Sequence, residues 1–394
     1  GNGNLTLTGL PSSSSVPLQV TGGRLILSGV STFSGSPSIS GGGVLDLGNA
    51  NFPIPNSVIL TGGSMVNFTP GVADPFAPTS NPSYTGFSFA VNNLNGNGKT
   101  FYLTNSTLTV NGNVETNAFN VSGSSSGTMR LTGSTLGQGD TNASKGQISV
   151  QDSATLEFAS NSVFDSYRAL AMSSVNPKLL VSGGAVSNLS YVMLGAGSGN
   201  RGTLQITSGS LAVINPNPSQ NGFYFGQNGG TGNFNLEGGS ASTTVLKVQS
   251  GTANINISGG TLNLVTTNAA TNPASVWSLS QNGTVNFTMS GGSVSAPNSR
   301  FNLSTGNSGA NIITNVSYLQ SGGTISSVEM SAGAGSFTMN GGTNESSSGM
   351  FVGDNPNGAV SFTQNGGLVR IKGEAGSLAA NDLVIGSANG NGTY

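Results

Sequence analysis

Residues 255–264 read Ile255-Asn256-Ile257-Ser258-Gly259-Gly260-Thr261-Leu262-Asn263-Leu264. Apolar and polar side chains alternate on both sides of a glycine pair. Alternation with period two places one set of side chains on a buried face of a strand and the other on an open face. Two short strands therefore flank a point where the chain must turn. Glycine suits that point, because it permits positive φ and lets another backbone approach closely.

The pattern recurs along the chain. Copies are Leu18-Gln19-Val20-Thr21-Gly22-Gly23, Val58-Ile59-Leu60-Thr61-Gly62-Gly63 and Leu179-Leu180-Val181-Ser182-Gly183-Gly184. Others are Phe234-Asn235-Leu236-Glu237-Gly238-Gly239, Phe287-Thr288-Met289-Ser290-Gly291-Gly292 and Phe337-Thr338-Met339-Asn340-Gly341-Gly342. Tyr318-Leu319-Gln320-Ser321-Gly322-Gly323 and Phe362-Thr363-Gln364-Asn365-Gly366-Gly367 are weaker copies. Copies follow one another at about 20–30 residues, the range of solenoid repeats. A second element precedes several of them: a short apolar strand, a glycine and a Gly/Asn-rich turn, as at Tyr191–Gly202, Phe223–Gly232 and Met350–Gly358.

These paired elements resemble the autotransporter-associated β-strand repeats and the related repeats of PEP-CTERM and type V secreted bacterial surface proteins. The resemblance is good from Leu179 onward and looser before it. It implies a parallel β-helix outside the cell or on a bacterial surface. It implies no single activity and carries no catalytic residues over.

The residues lead to the same expectation: an all-β parallel β-helix (β-solenoid), right-handed, with short strands and Gly-Gly corners. Stacked passes ~4.8 Å apart would place like side chains on like, with Thr, Ser and Asn able to bond between passes on the open face. The alternative use of a glycine pair is a hairpin turn in an antiparallel sandwich; the near-regular spacing favours the solenoid. The whole chain, 1–394, is expected to be one solenoid, with looser repeats over 1–178, regular repeats over 179–394 and a proline-bearing loop excursion over 70–86. The expected corners are Gly22, Gly23, Gly62, Gly63, Gly183, Gly184, Gly238, Gly239, Gly259, Gly260, Gly291, Gly292, Gly322, Gly323, Gly341, Gly342, Gly366 and Gly367. The segment from Phe164 to Met172 reads equally as helix or strand.

Composition narrows the chemistry. The 394 residues include 62 Gly, no Cys and no His, and only 6% are charged, for a net charge of −2. The usual transition-metal ligand sets, a Ser-His-Asp triad and a Cys nucleophile are thereby excluded. So is a polybasic nucleic-acid surface. No apolar run approaches the ~20 residues of a membrane span. Asp140, Asp152, Glu157 and Asp165, with Lys145 and Arg168, form the densest charged region, but Glu157 alternates with Leu156 and Phe158 and reads as a solvated strand position. Trp277 reads as packed against the core. Asn-x-Ser/Thr sequons include Asn67, Asn105, Asn256, Asn286 and Asn302; chance accounts for most of them in so Asn-rich a chain.

Both ends fall inside a repeat unit, which has two readings: the chain is the ordered part of a longer protein, or subunits stack end to end through Leu5, Leu7, Leu383, Ile385 and Tyr394. The expectation is an extracellular or cell-surface structural protein without enzymatic activity or cofactor, partnered by further copies of itself, with surface glycans or a neighbouring cell as further partners. An adhesin passenger domain, and a polysaccharide-active β-helix enzyme or tailspike, are the alternatives.

Overall fold

The computed structural model describes residues 3–8, 19–28, 38–40, 43–46, 51–52, 59–61, 64–70, 83–85, 88–91, 94–95, 100–104, 107–110, 113–115, 118–122, 128–131, 135–140, 148–166, 169–187, 189–214, 222–248, 250–265, 283–302, 315–353, 359–372, 383–385 and 391–393. Among them the regular structure is β-strand, apart from one short 3-10 turn at Gln227–Gly229. The strand pairings described are parallel. The ambiguous segment after residue 162 forms two strands, Val163–Ser166 and Ala169–Met172. Among the described residues no helix is long and apolar enough to cross a membrane. Of the proline-bearing stretch 70–86 only Pro70, which ends the strand Ser64–Pro70, and Ser83–Thr85 are described; the Gly62–Gly63 pair, Trp277 and Tyr394 lie outside the described residues.

The chain divides into two compact units, residues 1–170 with 176–186, and residues 171–175 with 187–394. In the first unit, each pass of the chain from Thr100 onward gives one strand to each of three ladders. One ladder runs through Thr100–Thr104, Ala118–Ser122 and Ile148–Val150. The next runs through Thr107–Val110, Thr128–Leu131, Thr155–Ala159 and Lys178–Ser187. The third runs through Asn113–Glu115, Thr135–Asp140 and Val163–Ser166. Parallel strands need a crossover connection, and here each connection contains the strands of the other two ladders.

The second unit repeats this order with tighter register. Its first ladder begins at residues 201–206 and continues through Thr231–Leu236, Thr252–Ile257, Thr284–Met289, Asn315–Gln320, Gly335–Met339 and Ala359–Gln364. Its second ladder takes residues 210–213, Ser240–Thr243 and Thr261–Leu264, then the leading halves of Ser293–Asn302, Thr324–Ala332 and Thr343–Val352, and then Leu368–Ile371. Tyr191–Leu194, Gly222–Phe225 and Leu246–Val248 form a third. Within the first ladder the pairing from Thr252 to Gln320 runs without a register shift.

Because register is constant, each inward position becomes a column of similar side chains. One column runs Leu204, Phe234, Ile255, Phe287, Tyr318, Phe337 and Phe362, all buried. Phe287 and Tyr318 stack with centroids 5.3 Å apart and planes 6° from parallel, and Phe337 continues the stack at 5.6 Å. Such aromatic pairs add about 0.5–1.5 kcal/mol to their area burial. The preceding inward position carries Gly232, Ala253, Val285 and Val316, so small residues stand beside large ones along the strand.

Truncating this column should be costly. Phe287→Ala is expected to lower unfolding free energy by about 3–5 kcal/mol. Ser317→Ala, at an exposed position on the next pass, should stay within about 0.5 kcal/mol. Urea unfolding followed by circular dichroism compares them.

Candidate functional site

Two recurring structural features stand where a site would: the glycine corners and the polar ladders on the open face. In the second unit the first and second ladders are joined by three residues each time, 237–239, 258–260, 290–292, 321–323, 340–342 and 365–367. The two glycines of a corner serve different needs. Gly260 has φ +68 and a Cβ there would stand 2.6 Å from the Gly239 carbonyl oxygen. Gly259 has ordinary φ, but a Cβ would collide with the Glu237 carbonyl oxygen. The corner is bonded to both neighbouring passes: Ser258 N–H donates to the Leu236 carbonyl at 2.9 Å, and Ser293 N–H donates to the Gly260 carbonyl at 2.9 Å. Gly238–Gly239, Gly291–Gly292, Gly322–Gly323, Gly341–Gly342 and Gly366–Gly367 repeat this arrangement, positive φ falling on the second glycine.

Two expected corners differ. Lys178–Ser187 is one strand that runs through Gly183–Gly184. Ala159 pairs with both Ser182 and Gly183, so this glycine pair makes a bulge in a continuous strand. Gly22–Gly23 lies between Gln19–Val20 and Arg24–Ser28, which belong to different sheets of the first unit. That junction corresponds to the one Gly195 and Gly226 occupy later, after Tyr191–Leu194 and Gly222–Phe225. The same dipeptide therefore turns the chain at different places in the pass.

On the open face of the first ladder, side-chain amides bond from pass to pass. Asn286 Nδ2 donates to Asn254 Oδ1 at 2.8 Å, Asn254 Nδ2 to Asn233 Oδ1 at 2.8 Å, and Asn233 Nδ2 to Thr203 Oγ1 at 3.3 Å. A second row joins Asn256 to Asn235 at 3.0 Å, and a corner row joins Asn365 to Asn340 at 2.9 Å. The sequon residues Asn256 and Asn286 thus use in the ladder the nitrogen that a glycan would occupy. The side chains of Asn67, Asn105 and Asn302 lie outside the described residues.

Two of the described carboxylates are held by neighbouring side chains. Glu157 Oε1 accepts from Ser182 Oγ at 2.6 Å, between the buried Leu156 and Phe158. Of its companions in the sequence, the side chains of Asp140, Lys145, Asp165 and Arg168 lie outside the described residues. Glu345 pairs with Arg370 and Lys372, each at 2.8 Å. The Lys372 hydrogen bond, with Arg370 adding to it, holds the Glu345 carboxyl below its usual range. Among the described residues no group of three or more His, Cys, Asp or Glu gathers.

Leu5 pairs with Leu25 and is 58% exposed, and Leu7 pairs with Leu27. Leu383 and Ile385 pair with Met350 and Val352 and are 42% and 45% exposed. Leu383 and Ile385 take the register of buried residues while remaining open on the outermost described strand of their ladder.

One arrangement escaped the sequence reading. Tyr318 Oη donates to Gln320 Oε1 at 2.6 Å, and Asn344 Nδ2 donates to Tyr318 Oη at 3.4 Å, all inside the apolar columns. The available signal was Gln320 standing in the slot that Leu236, Ile257, Met289 and Met339 fill in other copies. Burial pushes the Tyr318 hydroxyl far above the usual tyrosine range, against a smaller opposing effect of the Asn344 bond.

Alanine substitutions separate the two uses of glycine. Gly199 has φ +78 with open space around its Cβ position, so Gly199→Ala should cost about 1–2 kcal/mol from conformation alone. Gly259→Ala adds only crowding, about 1–3 kcal/mol. Gly260→Ala combines both, about 2–5 kcal/mol; chemical denaturation ranks the three. Separately, Tyr318 should stay neutral when exposed tyrosines ionise. Its proton is kept in the folded state and lost in the unfolded state above pH ~10. Stability should therefore fall as pH rises past that value, and fall less in Tyr318→Phe, as denaturation midpoints across alkaline pH will show.

No protein-family model, curated protein or solved structure with which the chain was compared matches it.

Proposed function

We propose that the passes close into right-handed parallel β-helix coils and that the chain is a structural component of a bacterial surface or extracellular matrix. The reading extends to the autotransporter-associated class of repeats that the sequence resembles. Its partners would be further copies of the chain or surface glycans, and its task is mechanical.

The observation that carries this reading is the unshifted first ladder of the second unit, with both faces engaged by neighbouring passes. Inward, Phe287, Tyr318 and Phe337 stack on one another. Outward, Asn233, Asn254 and Asn286 bond to one another. A ladder whose side chains satisfy each other is stiff and asks little of a ligand. Repeats of this kind draw their stability from nearest-neighbour contacts and so extend without a size limit. With 11 Lys and Arg in 394 residues, the surface also offers few tryptic sites and little charge for salt to screen.

Negative-stain electron microscopy together with small-angle scattering tests the shape, and rods or fibres are expected. Trypsin should leave the native protein largely intact and cut it once it is denatured. The melting midpoint should change by no more than a few degrees between about 0.05 and about 1 M NaCl, roughly a twentyfold range that spans physiological ionic strength. A compact globular particle, or turnover of a polysaccharide by the purified chain, would overturn the reading.

A further inference from the structure

The inward columns of the second unit are mostly apolar; Thr243 is one buried exception, and the passes through Tyr318 and Asn344 gather several more. In the column Leu262, Val294, Ile325, Asn344, Val369, the fourth member is an amide. In the neighbouring column Ala296, Ser327, Ser346, Ile371, the second and third are hydroxyls. Ser327 pairs with Ser346, which lies two residues beyond Asn344 on the same strand. The Asn344 and Ser327 side chains are thus diagonal neighbours on adjacent passes, with backbones ~7–8 Å apart. Both are inward, 3% and 5% exposed.

The hydrogen bonds around them can be followed atom by atom. The Tyr318 hydroxyl gives its proton to Gln320 Oε1. Gln320 Nε2 donates to the Gly323 carbonyl at 3.4 Å. Asn344 Nδ2 donates to Tyr318 Oη and, at 3.6 Å, to Met339 Sδ. The single Ser346 Oγ proton is shared between the carbonyls of Val328 and Gly349, each at 2.7 Å, and the oxygen accepts from Gly349 N–H at 3.0 Å. Of the three buried side-chain oxygens without a protein partner among the described residues, Thr244 Oγ1 lies on an earlier pass, and the other two, Asn344 Oδ1 and Ser327 Oγ, lie here.

Buried polar atoms in folded proteins are satisfied by protein or by ordered water. The chemistry of this pair selects the occupant. An amide oxygen only accepts, so the occupant must donate. A hydroxyl both donates and accepts, so the occupant can use it either way. An anion would face the amide oxygen unfavourably, and neither of the two free oxygens belongs to a carboxylate that would balance a cation. Ala296, Ser327 and Ser346 follow one another as small side chains in their column, which leaves room beside Ser327 that larger side chains would fill. Two O–H···O bonds of ~2.8 Å span about 5.5 Å between oxygens, within reach of the diagonal placement.

We propose that Asn344 Oδ1 and Ser327 Oγ hold one internal water molecule, which completes the Tyr318–Gln320–Asn344 hydrogen-bond network across two passes. The site is specific to this place, because the positions paired with Asn344 above and below carry Val369 and Ile325. The water keys the pass through Tyr318 to the pass through Asn344 and to no other.

A crystal structure of the unmodified protein at atomic resolution tests this. One solvent peak within about 2.6–3.2 Å of both oxygens is expected, and in Asn344→Leu crystals that peak should be gone. Asn344 Oδ1 and Ser327 Oγ bonded to each other or to other protein groups, with no density between them, would overturn the proposal. So would a peak that persists unchanged in Asn344→Leu. Should that variant not fold, a long-lived water cross-relaxation signal at the Asn344 side-chain amide of the unmodified protein gives the same decision: present supports the site, absent removes it.

Discussion

The close approach of backbone to backbone at the corners is the constraint on which the rest depends. At residues 258–260 the chain must turn within three residues while donating and accepting hydrogen bonds to the passes on either side. A side chain at Gly259 would occupy the place of the Glu237 carbonyl, and one at Gly260 would crowd Gly239. With that space kept empty, the next pass can lie directly over the last without a register shift. The columns of Phe and Met inside, and the rows of Asn outside, follow from the corner. A single added methyl group would push two passes apart, and the ladders on both sides would lose their spacing together.

Stacking in register also explains the composition. Each side chain lies next to its counterpart from the adjacent pass, so a charge repeated in a column would repel itself. Neutral amides and hydroxyls have no such cost, and asparagine can donate to one neighbour while accepting from the other, as Asn254 does between Asn233 and Asn286. Among the described residues Glu345 faces Arg370 across the ladder, with Lys372 close by, so that opposite charges and not like ones are brought together. A charge fraction of 6% is what this geometry tolerates.

The buried polar network stands against that background as a local exception. Tyr318, Gln320, Asn344, Ser327 and Ser346 interrupt columns that are mostly apolar. A stack of similar passes offers few reasons to choose one pairing over another, because each pass presents much the same surface. A hydrogen-bonded amide and hydroxyl in one place give the stack a mark that only one pairing satisfies. The use of buried polar groups to specify register rather than to add stability has precedent in coiled coils.

Much of the fold was legible in the residues. The alternation in Ile255-Asn256-Ile257 assigned the inward and outward faces, and the structure buries Ile255 and Ile257 as that alternation requires. The spacing of the glycine pairs indicated repeated short strands, and the pairings described are parallel. The site-level detail was less legible. Gly183–Gly184 has the same sequence context as Gly259–Gly260, yet it bulges inside one strand because Ala159 on the neighbouring strand takes two partners there. Gly22–Gly23 turns the chain at a different junction of the pass. Gln320 reads along the sequence as a weak copy of Met289, and nothing in one dimension brings it to Tyr318 and Asn344. Periodicity within a strand fixes which face a side chain takes, because that depends only on the pleat of its own backbone. The partner it meets there depends on how many residues separate successive passes, so that only the stacked structure decides it.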